Sequence, residues 1–249
     1  MKQGFIIPVY RHGRTAVLVV RQIADIGIPI ILVDDGNAED DRNYLENCAK
    51  NNQRVVLLRL EKNSGKGGAF TAGIKKAKEL GLTHVLQIDA DGQHDSGRVK
   101  FFLEASKQNP DKIICGYPEF DSSAPKSRVI GRKISVFWAA VVTLSSDIKD
   151  SHCGFRVYPV EASLKSIKNI FFDKRMGFDS EIIIRLYWKN VLPEFHNIKV
   201  TYPHDGISNF RLVRDNIRIS WMFTRLFFGM LFRLPVLIFR KIKKRKNSD

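Results

Sequence analysis

The 249-residue sequence contains few cysteines, and their spacing matches neither a disulfide framework nor a zinc site. Cys48, Cys115 and Cys153 are odd in number, lie far apart and form no C-x-x-C pair. Because secreted scaffolds and zinc modules need paired cysteines, neither class is expected, and a reducing cytoplasm fits this content.

Long apolar segments are also lacking. The chain enters Phe5–Val9 almost at once, without the charged and apolar regions of a signal peptide, so no signal peptide is expected. A transmembrane helix needs about 20 apolar residues. The most apolar stretch, near the carboxyl terminus, is interrupted by Arg225, Arg233 and Pro235. An interfacial segment is therefore favoured over a simple span.

Acidic residues are scarce relative to basic ones: 26 Asp and Glu stand against 41 Lys and Arg, giving a formal net charge of +15 at pH 7. From Arg211 onward there are 11 Lys or Arg but only Asp215 and Asp249. This surplus predicts an anionic partner, such as nucleic acid, an acidic membrane surface or a phosphorylated substrate. The hydrophobic content of 44% is ordinary for a globular chain of this length.

Apolar runs alternate with amphipathic segments through the first half of the chain. Strands are predicted at Phe5–Val9, Ile30–Val33, Val55–Leu60, His84–Ile88 and Lys112–Cys115. Helices are predicted at Thr15–Ile26, Asp40–Lys50, Ala69–Leu80 and Arg98–Gln108. This alternation indicates an α/β fold, Rossmann-like, with a mostly parallel sheet and helices on both faces. Ligands of such sheets bind at the carboxyl ends of the strands.

The pattern is looser in the second half of the chain. It predicts a loop at Glu119–Lys126, helices at Ser127–Leu144 and Asp179–Lys189, and strands at Gly154–Tyr158 and Phe195–Tyr202. We expect one domain over residues 1–209, followed by a basic amphipathic membrane-associating tail over residues 210–249.

Asp89 and Asp91 follow a predicted buried strand and are separated by one residue. Two such carboxylates suit a hard divalent ion, Mn²⁺ or Mg²⁺, that keeps positions open for phosphate oxygens. Gln93 would add an oxygen ligand, and His94 beside it is more typical of a supporting residue. The alternative is a solvated Asp-Gly turn.

Two further segments follow strands. Asp34-Asp35-Gly36-Asn37 could reach a base or ribose hydroxyl, or form a surface turn. Asn63-Ser64-Gly65-Lys66-Gly67-Gly68 opens a helix, where backbone N–H groups attract anions. It lacks Walker A spacing, and a simple helix entry is the alternative.

Other charged residues are candidates for acid–base chemistry or phosphate binding. Asp150, Asp179 or Glu181 would act as a general base or position an acceptor, although each is also typical of a cap or ion pair. Arg128, Arg132 and Arg156 would neutralise phosphates; a solvated basic face is the alternative for the first two.

The basic tail combines charge with apolar residues. Phe210, Val213, Ile217 and Trp221 share one helical stripe, and Arg211, Arg214, Arg218 and Arg225 share another. An interfacial helix in contact with anionic lipid fits this pattern. The alternative is an ordinary helix packed on the core.

In their order, these segments resemble those of family 2 glycosyltransferases of the dolichol-phosphate mannosyltransferase type, over roughly residues 4–210. The matching segments are Pro8-Val9-Tyr10, Val33-Asp34-Asp35-Gly36, Asn63-x-Gly65-Lys66-Gly67, Asp89-Ala90-Asp91-Gly92-Gln93-His94 and Asp150-x-x-x-Gly154-Phe155-Arg156. The resemblance implies a GT-A fold. It also implies that Pro8, Tyr10 and Asp35 contact the nucleoside, while Asp89, Asp91 and Gln93 hold metal and diphosphate, with Lys66 nearby.

A narrower resemblance is to the small glycosyltransferases of bacterial aryl-polyene pigment gene clusters. It is carried by Pro125-Lys126-x-Arg128, Asp150-Ser151-x-Cys153-Gly154-Phe155-Arg156-Val157-Tyr158-Pro159, Tyr202-Pro203-x-Asp205-Gly206-x-Ser208-x-Phe210-Arg211 and Arg214-Asp215-Asn216-x-Arg218-Ile219-Ser220-Trp221-Met222. Two places depart from the mannosyltransferase pattern. Arg11-His12 replaces an Asn-Glu pair, which leaves a nucleoside contact open. Gly92 and Asp95-Ser96 replace the usual Leu and Pro, which leaves the donor sugar open.

The predicted function is a metal-dependent inverting glycosyltransferase at the cytoplasmic face of a bacterial inner membrane. Its donor would be UDP- or GDP-linked, and its acceptor a polyprenyl phosphate or an aryl-polyene-type lipid. A nucleotidyltransferase is an alternative, but its Gly-rich loop normally follows the first strand, where Tyr10-Arg11-His12-Gly13-Arg14 stands here. A second alternative is a non-enzymatic protein that binds a membrane or nucleic acid. The charge accompanies an apolar run rather than interleaved aromatics, so no nucleic-acid partner is expected.

Overall fold

A computed structural model of the protein describes residues 1–120, 126–168, 172–201 and 211–246, without the side chains of residues 120, 126–128, 212 and 244–246. The strands are β1 Gln3–Val9, β2 Ile30–Asp34, β3 Val55–Arg59, β4 His84–Gln87, β5 Ile113–Phe120, β6 Arg156–Pro159 and β7 Pro193–Val200. The helices are α1 Gly13–Ile23, α2 Glu39–Lys50, α3 Lys66–Glu79, α4 Val99–Gln108, α5 Lys126–Thr143, α6 Val160–Ile167, α7 Phe178–Trp188, α8 Leu212–Leu231 and α9 Leu234–Lys246.

The strands form one seven-stranded sheet in the order β3-β2-β1-β4-β6-β5-β7. Strands β1 to β4 pair in parallel, and β5 pairs in parallel with β7. Strand β6 runs antiparallel to both of its neighbours. The prediction of a mostly parallel α/β sheet is therefore confirmed.

Two apolar cores lie on opposite faces of the sheet, because successive strand side chains point in opposite directions. Ile6 and Ile31 belong to the core that includes residues of α3, α6 and α7. Phe5 and Ile7 belong to the other core, with residues of α1 and α4. The helices therefore cover both faces, as the sequence indicated.

Two sequence expectations in the second half differ from the structure. Strand β5 continues to Phe120, so the predicted loop at 119–126 begins too early. The strand is longer because it pairs with β7 along its whole length, from Ile113–Pro193 to Phe120–Val200. Helix α6 was missed; its eight residues follow directly on β6 without a separating turn. Residues 121–125 of the predicted loop and the motif at 202–210 lie outside the described residues.

Helix α8 packs on α5 and α7 through one apolar face. Met222, Leu226 and Met230 are spaced by four residues, so they share a side of the helix, and all are buried. Helix α9 is held to the end of α7, because Arg240 donates to the carbonyl oxygen of Trp188 at 3.1 Å. The tail, residues 211–246, is thus attached to the domain along one side.

Candidate active site

Strands β1, β2 and β4 are parallel neighbours, so their carboxyl ends meet at one edge of the sheet. Tyr10, Asp35 and Asp89 come just after these strands and therefore lie at this edge, which we call the carboxyl edge. Pro8 lies within β1, opposite Val33 of β2. The fold thus brings the expected nucleoside-binding and metal-binding segments together.

Asp35 fixes the loop that precedes α3. It is 2% exposed, and its carboxylate accepts hydrogen bonds from Ser64 N–H at 2.7 Å, Gly65 N–H at 2.9 Å and the Asn63 side-chain amide at 2.9 Å. Gly65 has φ +79°, a left-handed conformation that favours glycine. Burial raises the pKa of Asp35 to about 6, although the two backbone donors oppose this rise.

The residue after this glycine connects the loop to the acidic residues of the edge. Lys66 Nζ lies 2.8 Å from Asp89 Oδ1 and 2.7 Å from Asp179 Oδ2, at the start of α7. Burial alone would lower the pKa of Lys66, but the two carboxylates raise it. Burial alone would likewise raise the pKa of Asp89, and Lys66 lowers it. An ammonium shared by two carboxylates therefore occupies the centre of the edge.

Gly154 lies against this cluster. A Cβ atom at Gly154 would come within 2.5 Å of both Asp89 Oδ2 and Lys66 Nζ. No side chain fits there without displacing a charged group. This gives a steric reason for glycine in the segment Cys153-Gly154-Phe155.

Asp91 is the second carboxylate of the edge, and it accepts a hydrogen bond from Gln93 N–H at 3.1 Å. Burial and the neighbouring charge of Asp89 raise the pKa of Asp91. Within the described residues, no group of three or more His, Cys, Asp or Glu has the geometry of a metal site. Two half-buried carboxylates that repel one another nevertheless fit a hard divalent ion that takes its remaining ligands from a phosphate.

The turn after Asp91 is fixed to the far side of the sheet. The Gln93 carbonyl accepts from Thr201 N–H at 3.0 Å, and His94 forms an isolated bridge with Val200. His94 is packed near Phe155, with ring centroids 5.5 Å apart, and burial lowers its pKa. His94 is therefore placed as a neutral supporting residue.

Two backbone donors expected to attract an anion have another partner. Gly67 N–H and Gly68 N–H, at the start of α3, donate to the Lys174 carbonyl oxygen at 2.9 and 3.3 Å. These two N–H groups already have an acceptor in this arrangement, which favours the alternative of a simple helix entry at this point. The reason is tertiary: the segment from Phe172 to Gly177 covers the helix start.

The proposed acceptor-binding and base residues lie close to each other. Arg132 of α5 donates to Asp150 Oδ2 at 2.6 Å, and Asp150 also accepts from Cys153 N–H at 2.6 Å. Burial would raise the pKa of Asp150, but Arg132 and the backbone donor hold it below its usual value. Arg128 lies in α5, and its side chain is outside the described part.

Arg156 and Glu181 are fully buried and hold α7 in place. Arg156 donates to the carbonyl oxygen of Asp179 at 2.6 Å. Glu181 pairs with Arg185 at 2.5 Å and with Arg225 of α8 at 3.4 Å. Neither side chain opens onto the carboxyl edge in this arrangement, so both are positioned as supports rather than as groups that touch a substrate.

Several contacts at the edge were not predicted from the sequence. Gln87 donates weakly to Asp179 at 3.4 Å, and Asn37 accepts from Arg11 N–H at 2.7 Å, holding Arg11 at a left-handed φ of 61°. The Arg11 guanidinium lies 5.3 Å from the Tyr10 ring centroid. Lys174 contributes only a carbonyl oxygen. The partners of Gln87, Asn37 and Lys174 lie far away in the chain, so no local pattern predicts these three contacts.

The tail presents a second surface. Val213, Ile217 and Trp221 are 72%, 65% and 63% exposed, on the side of α8 opposite its buried face. Phe232, at the bend between α8 and α9, and Phe239 of α9 are also exposed. None of the described helices is, by itself, long and apolar enough to cross a membrane. Val213–Leu231 and Leu234–Lys243, bent by 76°, meet that criterion only as a pair.

Comparison with known proteins identifies the class of this arrangement. A sequence model described as glycosyl transferase family 2 matches residues 5–164. A dolichyl-phosphate beta-glucosyltransferase of Dictyostelium discoideum is 32% identical over 166 residues, covering 62% of this chain and 49% of that protein. This chain therefore spans about half of that relative. A UDP-N-acetylglucosamine–dolichyl-phosphate N-acetylglucosaminyltransferase of Methanococcus voltae is 27% identical over 195 residues, covering 72% and 77%.

Among solved structures, glucosyl-3-phosphoglycerate synthase from Mycobacterium tuberculosis, in complex with Mn²⁺, UDP-glucose and phosphoglyceric acid, superimposes with a TM-score of 0.67. It is 13% identical and covers 92% of this chain and 79% of that one, which confirms the GT-A fold. The family match and the relatives confirm the expected mannosyltransferase-like group and do not support the nucleotidyltransferase alternative. The chain is a glycosyltransferase and belongs to glycosyl transferase family 2.

Proposed function

We propose that this enzyme is a metal-dependent inverting glycosyltransferase that moves a sugar from a UDP-linked donor to a polyprenyl phosphate. The observation that carries the proposal is the Asp89–Lys66–Asp179 cluster beside Asp35 and Asp91. It sets cationic and acidic groups for a diphosphate next to the expected nucleoside contact. The Methanococcus relative is named for a UDP-linked donor, which favours uridine over guanosine as the nucleoside.

Asp89 and Asp91 are the proposed metal residues, and Gln93 is the proposed additional oxygen ligand. Mn²⁺ or Mg²⁺ bound there would stabilise the negative charge that develops on the departing diphosphate. Lys66, held beside Asp89, contributes a fixed positive charge at the same place. Preorganised charge of this kind stabilises a transition state without needing to rearrange during the reaction.

The acceptor is proposed to be a phosphate because the structure pairs each candidate base with a cation. Asp150 pairs with Arg132, Asp179 with Lys66, and Glu181 with Arg185. A phosphate monoester is already an anionic nucleophile, so its oxygen attacks the anomeric carbon as the bond to the UDP oxygen breaks. Arg132 and Arg128, both on α5, are the proposed residues that position it.

Dolichyl phosphate in the names of two relatives supports this acceptor class. The aryl-polyene-type lipid remains the alternative, carried by the narrower sequence resemblance. A hydroxyl acceptor would require Asp150 or Asp179 to release its cation and take a proton, since Glu181 is fully buried. The two acceptors therefore differ in a property that can be tested, which is the need for a base.

The site of action is proposed to be the cytoplasmic face of a bacterial inner membrane. Exposed apolar side chains of the tail, such as Trp221, Phe232 and Phe239, stand beside a strongly basic sequence. Amphipathic basic segments of this type bind at the boundary between headgroups and acyl chains of anionic membranes.

The direct test is transfer of labelled sugar from UDP- and GDP-linked donors to undecaprenyl phosphate in detergent, with and without Mn²⁺. Product formation from a UDP-sugar that requires metal is expected. A product formed only with an aryl-polyene hydroxyl acceptor would move the proposal to the alternative, and a product formed equally well in a chelator would refute the metal role.

The membrane part is tested separately. Vesicles that contain phosphatidylglycerol should bind the protein in a salt-sensitive manner, whereas duplex DNA should not compete. Stronger binding to DNA than to vesicles would overturn the membrane assignment without affecting the transferase assignment.

A further inference from the structure

A basic groove lies between α7 and α8, and one end of its lining, at Lys174 and Arg175, reaches the loop before α3. Asp179 points to the edge, where it contacts Lys66, whereas Glu181 and Arg185 point to α8. The groove has a volume of about 860 Å³ and is continuous with a smaller cavity of about 280 Å³. The two share the lining residues Arg185, Trp188 and Arg233. We call this combined space the α7–α8 groove.

The charge of the α7–α8 groove is strongly one-sided. Among the described lining residues there are eight cations and one acid, Asp173. Glu181, buried beneath, adds a second negative charge and accepts from Arg185 at 2.7 Å and from Arg225 at 3.4 Å. A surplus of positive charge therefore remains within one concave surface.

Arg233 shows how closely these cations are gathered. Its guanidinium lies 4.5 Å from the Trp188 ring centroid and donates to the Gly229 carbonyl oxygen. Burial and the neighbouring Arg185 lower the pKa of Arg233. Concentrating like charges costs free energy in the absence of an anion, and a bound phosphate would relieve that repulsion.

The rim of the groove is apolar and exposed. Trp221, Phe228 and Phe232 line it and are 63%, 58% and 88% exposed. This rim continues into the exposed apolar side of the tail, through Val236 and Phe239. Cations inside and large apolar groups at the mouth match an amphiphile with an anionic head rather than a free ion.

We propose that the α7–α8 groove binds the phosphate headgroup of an anionic phospholipid, with its acyl chains lying over Trp221, Phe228 and Phe232. The site is distinct from the proposed acceptor site, because neither Arg132 nor Asp150 lines the groove. It rests on the membrane association proposed above but not on sugar transfer. Bound lipid would fix the orientation of α8 and, through Glu181, of α7, whose first turn carries Asp179.

The test uses the full-length protein and a soluble short-chain lipid, dihexanoyl phosphatidylglycerol, followed by tryptophan fluorescence, since Trp188 and Trp221 line the groove. Dihexanoyl phosphatidylcholine and inorganic phosphate are the comparison ligands. Saturable binding of phosphatidylglycerol is expected, with weaker binding of the other two. Phosphate binding as tight as that of the lipid would identify a free-phosphate site and overturn the proposal.

Two double variants distinguish lipid binding in the α7–α8 groove from binding by the general positive charge of the tail. Arg218→Gln/Arg233→Gln removes two cations from the groove, and Lys241→Gln/Lys243→Gln removes two exposed cations from α9. We expect the first pair to weaken phosphatidylglycerol binding at least about tenfold and the second to leave it within roughly twofold, since each charge-assisted hydrogen bond contributes about a factor of ten. Equal losses in both variants would overturn the proposal.

The single variant Arg218→Gln covers the case in which the double variant fails to fold, and its effect should have the same direction. Vesicle binding is measured in parallel. Vesicle binding without saturable short-chain lipid binding would refute the groove and leave the proposed membrane association standing. If neither short-chain lipid nor vesicles bind, both the groove and the membrane association are refuted. UDP binding would still report on the donor site.

Discussion

The carboxyl edge and the tail hold many of the charged side chains of the chain, but they arrange them in opposite ways. At the edge, Lys66 stands between Asp89 and Asp179, and Asp35 accepts three hydrogen bonds. In the tail, most of the charge is basic and lies beside exposed apolar side chains. The edge is a compact, balanced cluster suited to one small polar ligand, whereas the tail is an extended surface suited to an interface.

The largest effect should come from removing one charge of the edge. Asp91→Asn is expected to lower the rate of sugar transfer by about a thousandfold, because losing a transition-state electrostatic group costs roughly 3–4 kcal/mol. The matched control is Asp95→Asn, an exposed carboxylate in the same turn. Transfer assays with both variants and a thermal melt of each provide the measurement. Unchanged turnover in Asp91→Asn would refute its metal role.

Glu181 of α7 connects the domain to the tail through Arg225 of α8, and we expect it to contribute to stability rather than to nucleotide binding. Glu181→Gln leaves Arg185 and Arg225 without their buried carboxylate, so the free energy of unfolding should fall by about 3 kcal/mol. Chemical denaturation measures this change. Glu194→Gln removes a more exposed carboxylate paired with Lys112 and should cost under about 1 kcal/mol. The affinity of folded Glu181→Gln for UDP should be unchanged; a large loss would show that Glu181 also positions Asp179 at the carboxyl edge.

Substitutions of two neighbouring residues of α8, one buried and one exposed, should distinguish a role in packing from a role in membrane binding. Met222 is buried, so Met222→Ala should lower the free energy of unfolding by about 3 kcal/mol. Trp221 is 63% exposed, so Trp221→Ala should change it by less than about 0.5 kcal/mol. Only Trp221→Ala should reduce binding to anionic vesicles directly, by about tenfold. Normal vesicle binding by Trp221→Ala would show that this face is not the membrane surface.

Replacing Gly154 tests how closely the charged groups of the carboxyl edge are packed. Gly154→Ala places a methyl group within 2.5 Å of Asp89 and Lys66, and transfer should fall by about a hundredfold. Gly131→Ala on α5 has open space around the added atom and should leave transfer unchanged. Steady-state rates measure both. Equal rates would mean that the cluster can shift without consequence.

The smallest effect should be the pH dependence of nucleotide binding. The pKa of Asp35 is raised to about 6 by burial, so its carboxylate becomes protonated as the pH falls below that value. If the ionised form accepts a hydrogen bond from the base, UDP affinity should decrease by up to roughly tenfold between about pH 7 and about pH 5. Asp35→Asn carries no titrating group and removes this contribution. An identical pH profile in Asp35→Asn would exclude Asp35 as the group responsible for the pH dependence of UDP binding.

The sequence predicted the edge better than it predicted the tail. Strands β1 to β4 and the residues after them were identified because apolar runs and polar turns are local signals. The antiparallel direction of β6 was not, since it depends on which strands it joins. The bond between Lys66 and Asp179 joins residues 113 positions apart, which no local pattern reveals.

For the tail, the residue pattern allowed two interpretations, and each describes one face of α8. The stripe of Val213, Ile217 and Trp221 is exposed, as an interfacial helix requires. A second stripe, Met222, Leu226 and Met230, is buried against the domain, as a core helix requires. The helix has two apolar faces, and only tertiary packing decides which one meets the protein.

The central claim is that the carboxyl edge binds a nucleoside diphosphate together with a divalent metal. Calorimetric titration with UDP and with GDP, each with and without Mn²⁺, tests it most directly, using the folded wild type and Asp91→Asn. We expect UDP to bind the wild type tightly only when Mn²⁺ is present, and Asp91→Asn to lose this metal dependence. Binding of neither nucleotide to the folded wild type, or equal binding in the variant, would contradict the claim.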